Sequence, residues 1–253
     1  MMTPQETITA NELNRVEVAA AVDLDFTLIN SLVALEGFKV ACAAYGFNPD
    51  EITGAELDAK KEERSFDPIT YLRSREISEE QIALISDHFV ENARAEDILY
   101  PDTDEFINSL IGQNVPFFIF TYGPPEWQAL KLRASGLDIY PSVVTQDQDK
   151  SKVIKSWQQG REDNSFLLPL QSKSNERGEI IATTLVFIDD KPSSTKNLPA
   201  GVLGVHLDRP ESETRPSQAG ELDQGVQRVE NLLAMLALIS LHQVSLQPSS
   251  DAA

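Results

Sequence analysis

Val18-Ala19-Ala20-Ala21-Val22-Asp23-Leu24-Asp25-Phe26-Thr27-Leu28 is the stretch on which the reading of this chain turns. Its apolar start has the length of a buried strand, and two carboxylates one residue apart close it. Open α/β folds bind ligands outside the carboxyl ends of their strands, so these acids stand where a site belongs. Adjacent carboxylates repel, and that repulsion implies a cation or a proton between them. The stretch is therefore a candidate site for Mg2+-dependent chemistry. A lone Asp-x-Asp triplet is more often a solvated turn, so its meaning depends on what else the chain places near it.

Further apolar runs follow downstream: Val115–Phe120, Ser142–Thr145, Thr184–Ile188 and Val202–His206 read as strands. Helical patterns lie between them, over Glu126–Ser135 and near Val153–Trp157, and a last helix is expected over about Leu222–Leu241, with Val226, Val229, Leu233 and Leu236 on one face. Strands alternating with helices predict an α/β fold with a mostly parallel, Rossmann-like sheet covered on both faces. The polar stretch Gln158–Gly178 reads as a surface excursion.

The alternation breaks between Leu32 and about Glu96, which holds no convincing strand. Leu32–Tyr45 reads as a helix ending at Gly46, and Ser78-Glu79-Glu80-Gln81 is a capping box ahead of Ile82, Ile85 and Phe89 on one face. A crossover between strands needs far fewer residues, so 32–96 is expected to be an inserted helical subdomain. The α/β core would then comprise 15–31 and 97–244, with flexible tails at 1–14 and 245–253.

Four strand ends carry polar residues: Asp23 and Asp25 after the first strand, Thr121 after Phe117–Phe120, Lys150 and Lys152 after the third, and Asp189-Asp190 after Leu185–Ile188. In that order they resemble the haloacid dehalogenase superfamily, whose pattern is Asp-x-Asp-x-Thr, a Ser or Thr after a strand, a Lys, and an acidic pair after a further strand. The resemblance spans roughly residues 16–240 and includes the helical insertion, which in that family is a cap over the site.

The resemblance implies a Mg2+-dependent phosphatase of small phosphorylated metabolites acting through an aspartyl-phosphate. Asp23 would be the nucleophile, and Asp25 would protonate the leaving oxygen and then deprotonate the hydrolytic water. The metal ligands would be the Asp23 side chain, the Asp25 backbone carbonyl, Asp190 directly and Asp189 through water. Thr121 would bind a phosphate oxygen, Gly123 would let backbone approach, and a lysine would neutralise charge. Lys150 is favoured over Lys152, because it precedes the apolar Ile154 by four residues. Lys191 faces either substrate or solvent. Phe26 stands where many relatives have Gly. A phosphomutase of the same superfamily would carry the same residues. The non-enzymatic alternative is a catalytically silent relative used as a binding or regulatory module. Asp25 argues against a dehalogenase, whose halide leaves without a proton.

Composition narrows the partners. The net charge of −19 argues against a nucleic-acid surface, which needs basic patches to displace counterions, and against docking on an anionic membrane. No apolar run has the length of a membrane span, and the N-terminus lacks the pattern of a signal peptide, so a cytoplasmic protein is expected. The lone Cys42 excludes an intrachain disulfide. His88, His206 and His242 are too scattered for a zinc site, and Trp127 and Trp157 read as packing residues. Six cations of the insertion, Lys39, Lys60, Lys61, Arg64, Arg73 and Arg75, are candidates to meet substrate. Spacing says nothing of substrate identity or oligomeric state.

Overall fold

The computed structural model describes residues 15–93, 98–161, 163–171, 177–210 and 221–246. Strand β1 (Arg15–Val22) is central in a seven-stranded sheet with β2 (Phe117–Tyr122), β3 (Ser142–Thr145), β4 (Phe166–Gln171), β5 (Arg177–Asp189), β6 (Val202–Leu207) and β7 (Gln227–Val229). The order is β3-β2-β1-β5-β6-β7, all parallel, with β4 antiparallel on β5. The chain runs from β1 outward to β2 and β3, then crosses to β5 on the other side. The carboxyl ends of β1 and β5 thus form a switch point, where such sheets open a crevice.

Two cores follow from the two-residue period of the strands. Val18, Ala20 and Val22 of β1 face one way with Ile119, Val186 and Ile188; Ala19 and Ala21 face the other way with Phe118, Phe120, Leu185 and Phe187. Helix α7 (Lys150–Gln158) covers the second face with Ile154 and Trp157. On the first face lie α5 (Thr103–Gly112), α6 (Pro125–Ala134) and α8 (Leu232–Leu246), through Phe106, Trp127 and Met235 among others.

Between β1 and β2 the chain forms α1 (Ser31–Ala44), α2 (Pro49–Lys61), α3 (Pro68–Ser74) and α4 (Glu79–Asn92). Each start is written in the sequence. Asn30, Asn48, Asp67 and Ser78 accept hydrogen bonds from the first-turn amides, and Pro49 and Pro68 stand at the first helical position. Helices α1 and α4 pack on α6 through Phe38, Phe89 and Trp127, with ring centroids 5.2–6.0 Å apart. Arg73–Glu126 at 2.7 Å and Arg133–Asp87 at 3.0 Å flank that contact.

Three expectations need correction. The stretch Gln158–Gly178 is not merely a surface excursion: it contributes β4 and the start of β5, paired from Phe166↔Ala182 to Gln171↔Arg177. The last helix starts at Leu232 rather than near Leu222, and Val229 belongs to β7. Asn231 accepts from the Ala234 amide and Asp102 from the Leu232 amide, which sets that start. Residues 245 and 246 close α8; the remaining tail residues, 1–14 and 247–253, lie outside the described residues, as does 94–97 at the edge of the expected insertion. Among the described residues no helix is long and apolar enough to cross a membrane.

Candidate active site

Register builds the site before any side chain is considered. Val22 of β1 pairs with Ile188 of β5, and the Asp23 amide donates to the Ile188 carbonyl at 2.9 Å. Asp23 therefore stands beside Asp189 and Asp190, although about 165 residues separate them in the chain. Carboxylate oxygens of Asp23, Asp189 and Asp190 lie within 4.8 Å of one another, and all three residues are buried.

Lys150 completes the cluster. Asp149 caps α7 by accepting from the Ser151 amide, which fixes Lys150 as the first helical residue. Its ammonium, 3% exposed, donates to Asp23 Oδ1 at 2.6 Å and to Asp189 Oδ2 at 2.7 Å. The rings of Phe120 and Phe187 lie 5.4 and 5.7 Å from it. Lys152 points elsewhere: it is 66% exposed and pairs with Asp149 at 3.7 Å. The second oxygen of Asp189 accepts from the Lys191 amide at 2.8 Å.

Charge now weighs on Asp23. Burial drives its carboxyl up, Lys150 pulls it back, and Asp189 and Asp25 raise it further, leaving it at about 7. Fully ionised, the three carboxylates would outnumber the Lys150 ammonium by two negative charges, a state that the raised Asp23 carboxyl resists. Oxygen donors carrying that excess suit a hard divalent cation such as Mg2+.

Asp25 has a different environment. The turn after β1 is tight: the Leu24 carbonyl accepts from Thr27, Leu28 and Ile29, and Phe26 adopts φ +59°. Left-handed backbone is strained for a side chain as bulky as Phe and free for Gly. The turn presents Asp25 to α1 and α6. Its Oδ1 accepts from Ser31 Oγ and from Lys131 Nζ, and its Oδ2 accepts from Gln128 Nε2 at 3.0 Å. Burial alone would raise this carboxyl, but the Lys131 ammonium and the three donors more than reverse that, so it lies below the usual carboxylate range.

Thr121 is fully buried, and its hydroxyl has no hydrogen-bond partner among the described residues. A cleft of about 200 Å³ opens on the cluster, lined by Asp23, Asp25, Lys150 and Asp189 with Tyr122, Gln148, Lys191, Ser193 and Ser194. Gly123 lines an adjoining hollow that shares Tyr122 and brings Arg64 of the inserted segment opposite the core. All six cations of that segment are engaged with carboxylates: Lys39 and Lys60 with Glu56, Lys61 with Asp58, Arg64 with Glu62, Arg73 with Glu79 and Glu126, and Arg75 with Glu51.

Sequence reasoning missed Lys131, Gln128 and Ser31. The signal available was that Gln128 and Lys131 lie three apart and share a helix face; nothing in their spacing says that this face meets Asp25. Gln148, Ser193 and Ser194 follow strand ends, but as common loop residues they carry no signal.

No protein-family model matches the chain, and no curated protein matches it. Solved structures do. A haloacid dehalogenase-like hydrolase from Burkholderia xenovorans LB400 is 15% identical over 90% of this chain and 98% of its own, with a TM-score of 0.57. A haloacid dehalogenase-type hydrolase from Bacillus subtilis, bound to magnesium, is 13% identical over 89% and 99% of the two chains, at 0.48. A protein described as a β-phosphoglucomutase from Thermotoga maritima is 13% identical over 89% and 99%, at 0.47. The α/β sheet with its four polar strand ends and the helices between β1 and β2 is the fold of the haloacid dehalogenase-like hydrolases.

Proposed function

We propose that the chain is a Mg2+-dependent phosphatase of small phosphorylated metabolites, working through an aspartyl-phosphate on Asp23. The observation that carries this reading is the buried cluster of Asp23, Asp189 and Asp190 around Lys150 at the switch point of the sheet. Asp23, the Asp25 backbone carbonyl and Asp190 would hold the metal. Asp189 would act through water, since both of its oxygens already accept from Lys150 and Lys191. When bound, the cation offsets the two excess negative charges and polarises the phosphoryl group.

The rest is the work of the chain. Asp23 attacks phosphorus, and Lys150 keeps its carboxylate from repelling the incoming phosphate. The unpartnered Thr121 hydroxyl is available to a phosphoryl oxygen. Asp25 serves the two proton transfers. Its lowered carboxyl is already the base that the hydrolytic water needs; to protonate a leaving oxygen it must first take up a proton as substrate enters. The cleft, about 200 Å³, leaves room for a small group only. The helices α1–α4 would form a cap over the site.

The test is phosphate release from a panel of phosphorylated metabolites with Mg2+ and with EDTA. Turnover should require the metal, and Asp23→Asn should lower kcat by at least about a thousandfold. Mg2+ binding with no turnover on a broad panel would instead favour a silent binding module. Normal turnover by Asp23→Asn would reject the nucleophile.

A further inference from the structure

We propose that Lys131, with Gln128 and Ser31, is a positioning residue that locks the Asp25 carboxylate in the orientation from which it takes the proton of the hydrolytic water. This rests on the phosphatase reading above and adds to it a role for three residues outside the four strand ends.

The geometry is that of a clamp. Lys131 and Gln128 descend one face of α6, and Ser31 opens α1, so the donors come from two separate elements. Two of them converge on Oδ1 and the third on Oδ2. A carboxylate held on both oxygens cannot turn about its terminal torsion, which is otherwise broad. Lys131 is itself buried, with its ammonium 5.6 Å from the centroid of the Trp127 ring, so it has no solvent-facing alternative to Asp25. Gln128 also donates to the Tyr122 carbonyl at 3.0 Å, tying the clamp to the end of β2 beside Thr121. Nothing about this arrangement binds substrate: Lys131, Gln128 and Ser31 do not line the cleft, whereas Asp25 does. Their effect must pass through Asp25.

The chemistry separates into halves that the clamp affects unequally. In the first, an Asp23 oxygen bonds to phosphorus, the phosphorus–oxygen bond to the leaving group breaks, and the leaving oxygen departs. In the second, a water oxygen bonds to the same phosphorus, Asp25 takes one water proton, and the Asp23–phosphorus bond breaks to give inorganic phosphate. With p-nitrophenyl phosphate the leaving nitrophenolate needs no proton, so only the second half depends on Asp25.

Rapid-mixing kinetics on p-nitrophenyl phosphate with Mg2+ therefore reads the clamp. Lys131→Met should release a burst approaching one nitrophenolate per chain, followed by a steady rate lowered about ten- to a hundredfold. Acid quenching should trap phosphate on Asp23. Gln128→Leu and Ser31→Ala, which keep the ion pair and so the fold, should show the same accumulation more weakly. Burst and steady rates falling together would mark a merely structural role and overturn the proposal, as would unchanged kinetics. If the wild-type chain itself releases no nitrophenolate with Mg2+, the phosphatase reading fails and the proposal with it. Wild-type turnover with no phosphoenzyme accumulation in any of the three variants overturns the clamp alone.

Discussion

Gly123 lacks a side chain because Gln128 occupies the space. A Cβ there would fall inside contact distance of the Gln128 amide nitrogen, the atom that reaches Asp25 and the Tyr122 carbonyl, and the backbone at φ +149° is glycine territory in any case. Gly123→Ala should therefore cost about 1–3 kcal/mol in urea unfolding. It should also lower turnover by about tenfold through the lost hydrogen bond to a charged group. An alanine variant with wild-type stability and turnover would show that Gln128 has another place to go. Asp23, Asp25, Thr121, Lys150, Asp189 and Asp190 could be singled out because their order along the chain resembles that of the haloacid dehalogenase superfamily; each alone is a common strand-end or loop residue. The register of β1 on β5 and the capped start of α7 bring Asp23, Asp189 and Lys150 together. Gln128 and Lys131 were not legible, because a polar residue on a helix reads as solvated until the packing of that helix is known. Their burial here is decided by α6 lying against the turn after β1.

Among the elements, α6 joins the inserted helices to the sheet. Its Trp127 is the core-side partner of Phe38 from α1 and Phe89 from α4, and its ring also lies beside Lys131. Truncation to alanine should cost about 3–5 kcal/mol, since a large ring leaves a cavity that three elements line. Hydrogen exchange should show the loss concentrated in α1 and α4, the segment that meets the core here. Uniform loss over the whole sheet would place the burial energy elsewhere. The start of α4 was readable from its cap at Ser78, and β1, β2, β3 and β6 from their apolar runs, with β3 matching its expected span. β4 was not, because Pro169 inside it argues against a strand. It is tolerated because β4 is an outer strand, hydrogen-bonded to β5 alone in the sheet. β7 was hidden for another reason: three residues, Gln227-Arg228-Val229, are too few to show alternation, and their spacing merged with that of the helix that follows.

At the scale of the whole molecule, the net charge of −19 disfavours further ionisation, and Asp23 is where the two meet. A carboxyl raised to about 7 in the folded chain binds its proton more tightly than it does in the unfolded one. Its contribution to stability is complete below about pH 4 and fades as pH climbs through 7. Asp25 runs the other way: its carboxyl is lowered, so its contribution holds above about pH 4 and is lost only as pH falls further. Between pH 5.5 and 8 Asp23 loses its contribution in EDTA while His206, whose imidazole burial lowers, gains one, so the Asp23 share is the difference between the wild-type chain and Asp23→Asn. A divalent cation competes with the Asp23 proton, so Mg2+ should raise Tm more at pH 8 than at pH 5.5. Working at about 0.15 M salt damps the repulsion among surface carboxylates and leaves the buried cluster exposed to the comparison. Asp23→Asn removes the falling contribution, so its stability in EDTA at pH 8 relative to pH 5.5 should be higher than that of the wild-type chain, and the Mg2+ shift should weaken at both pH values. An equal Mg2+ shift at pH 5.5 and 8 in the wild-type chain would mean that the cation binds away from Asp23. The excess negative charge of Asp23, Asp189 and Asp190 would then need another counterion.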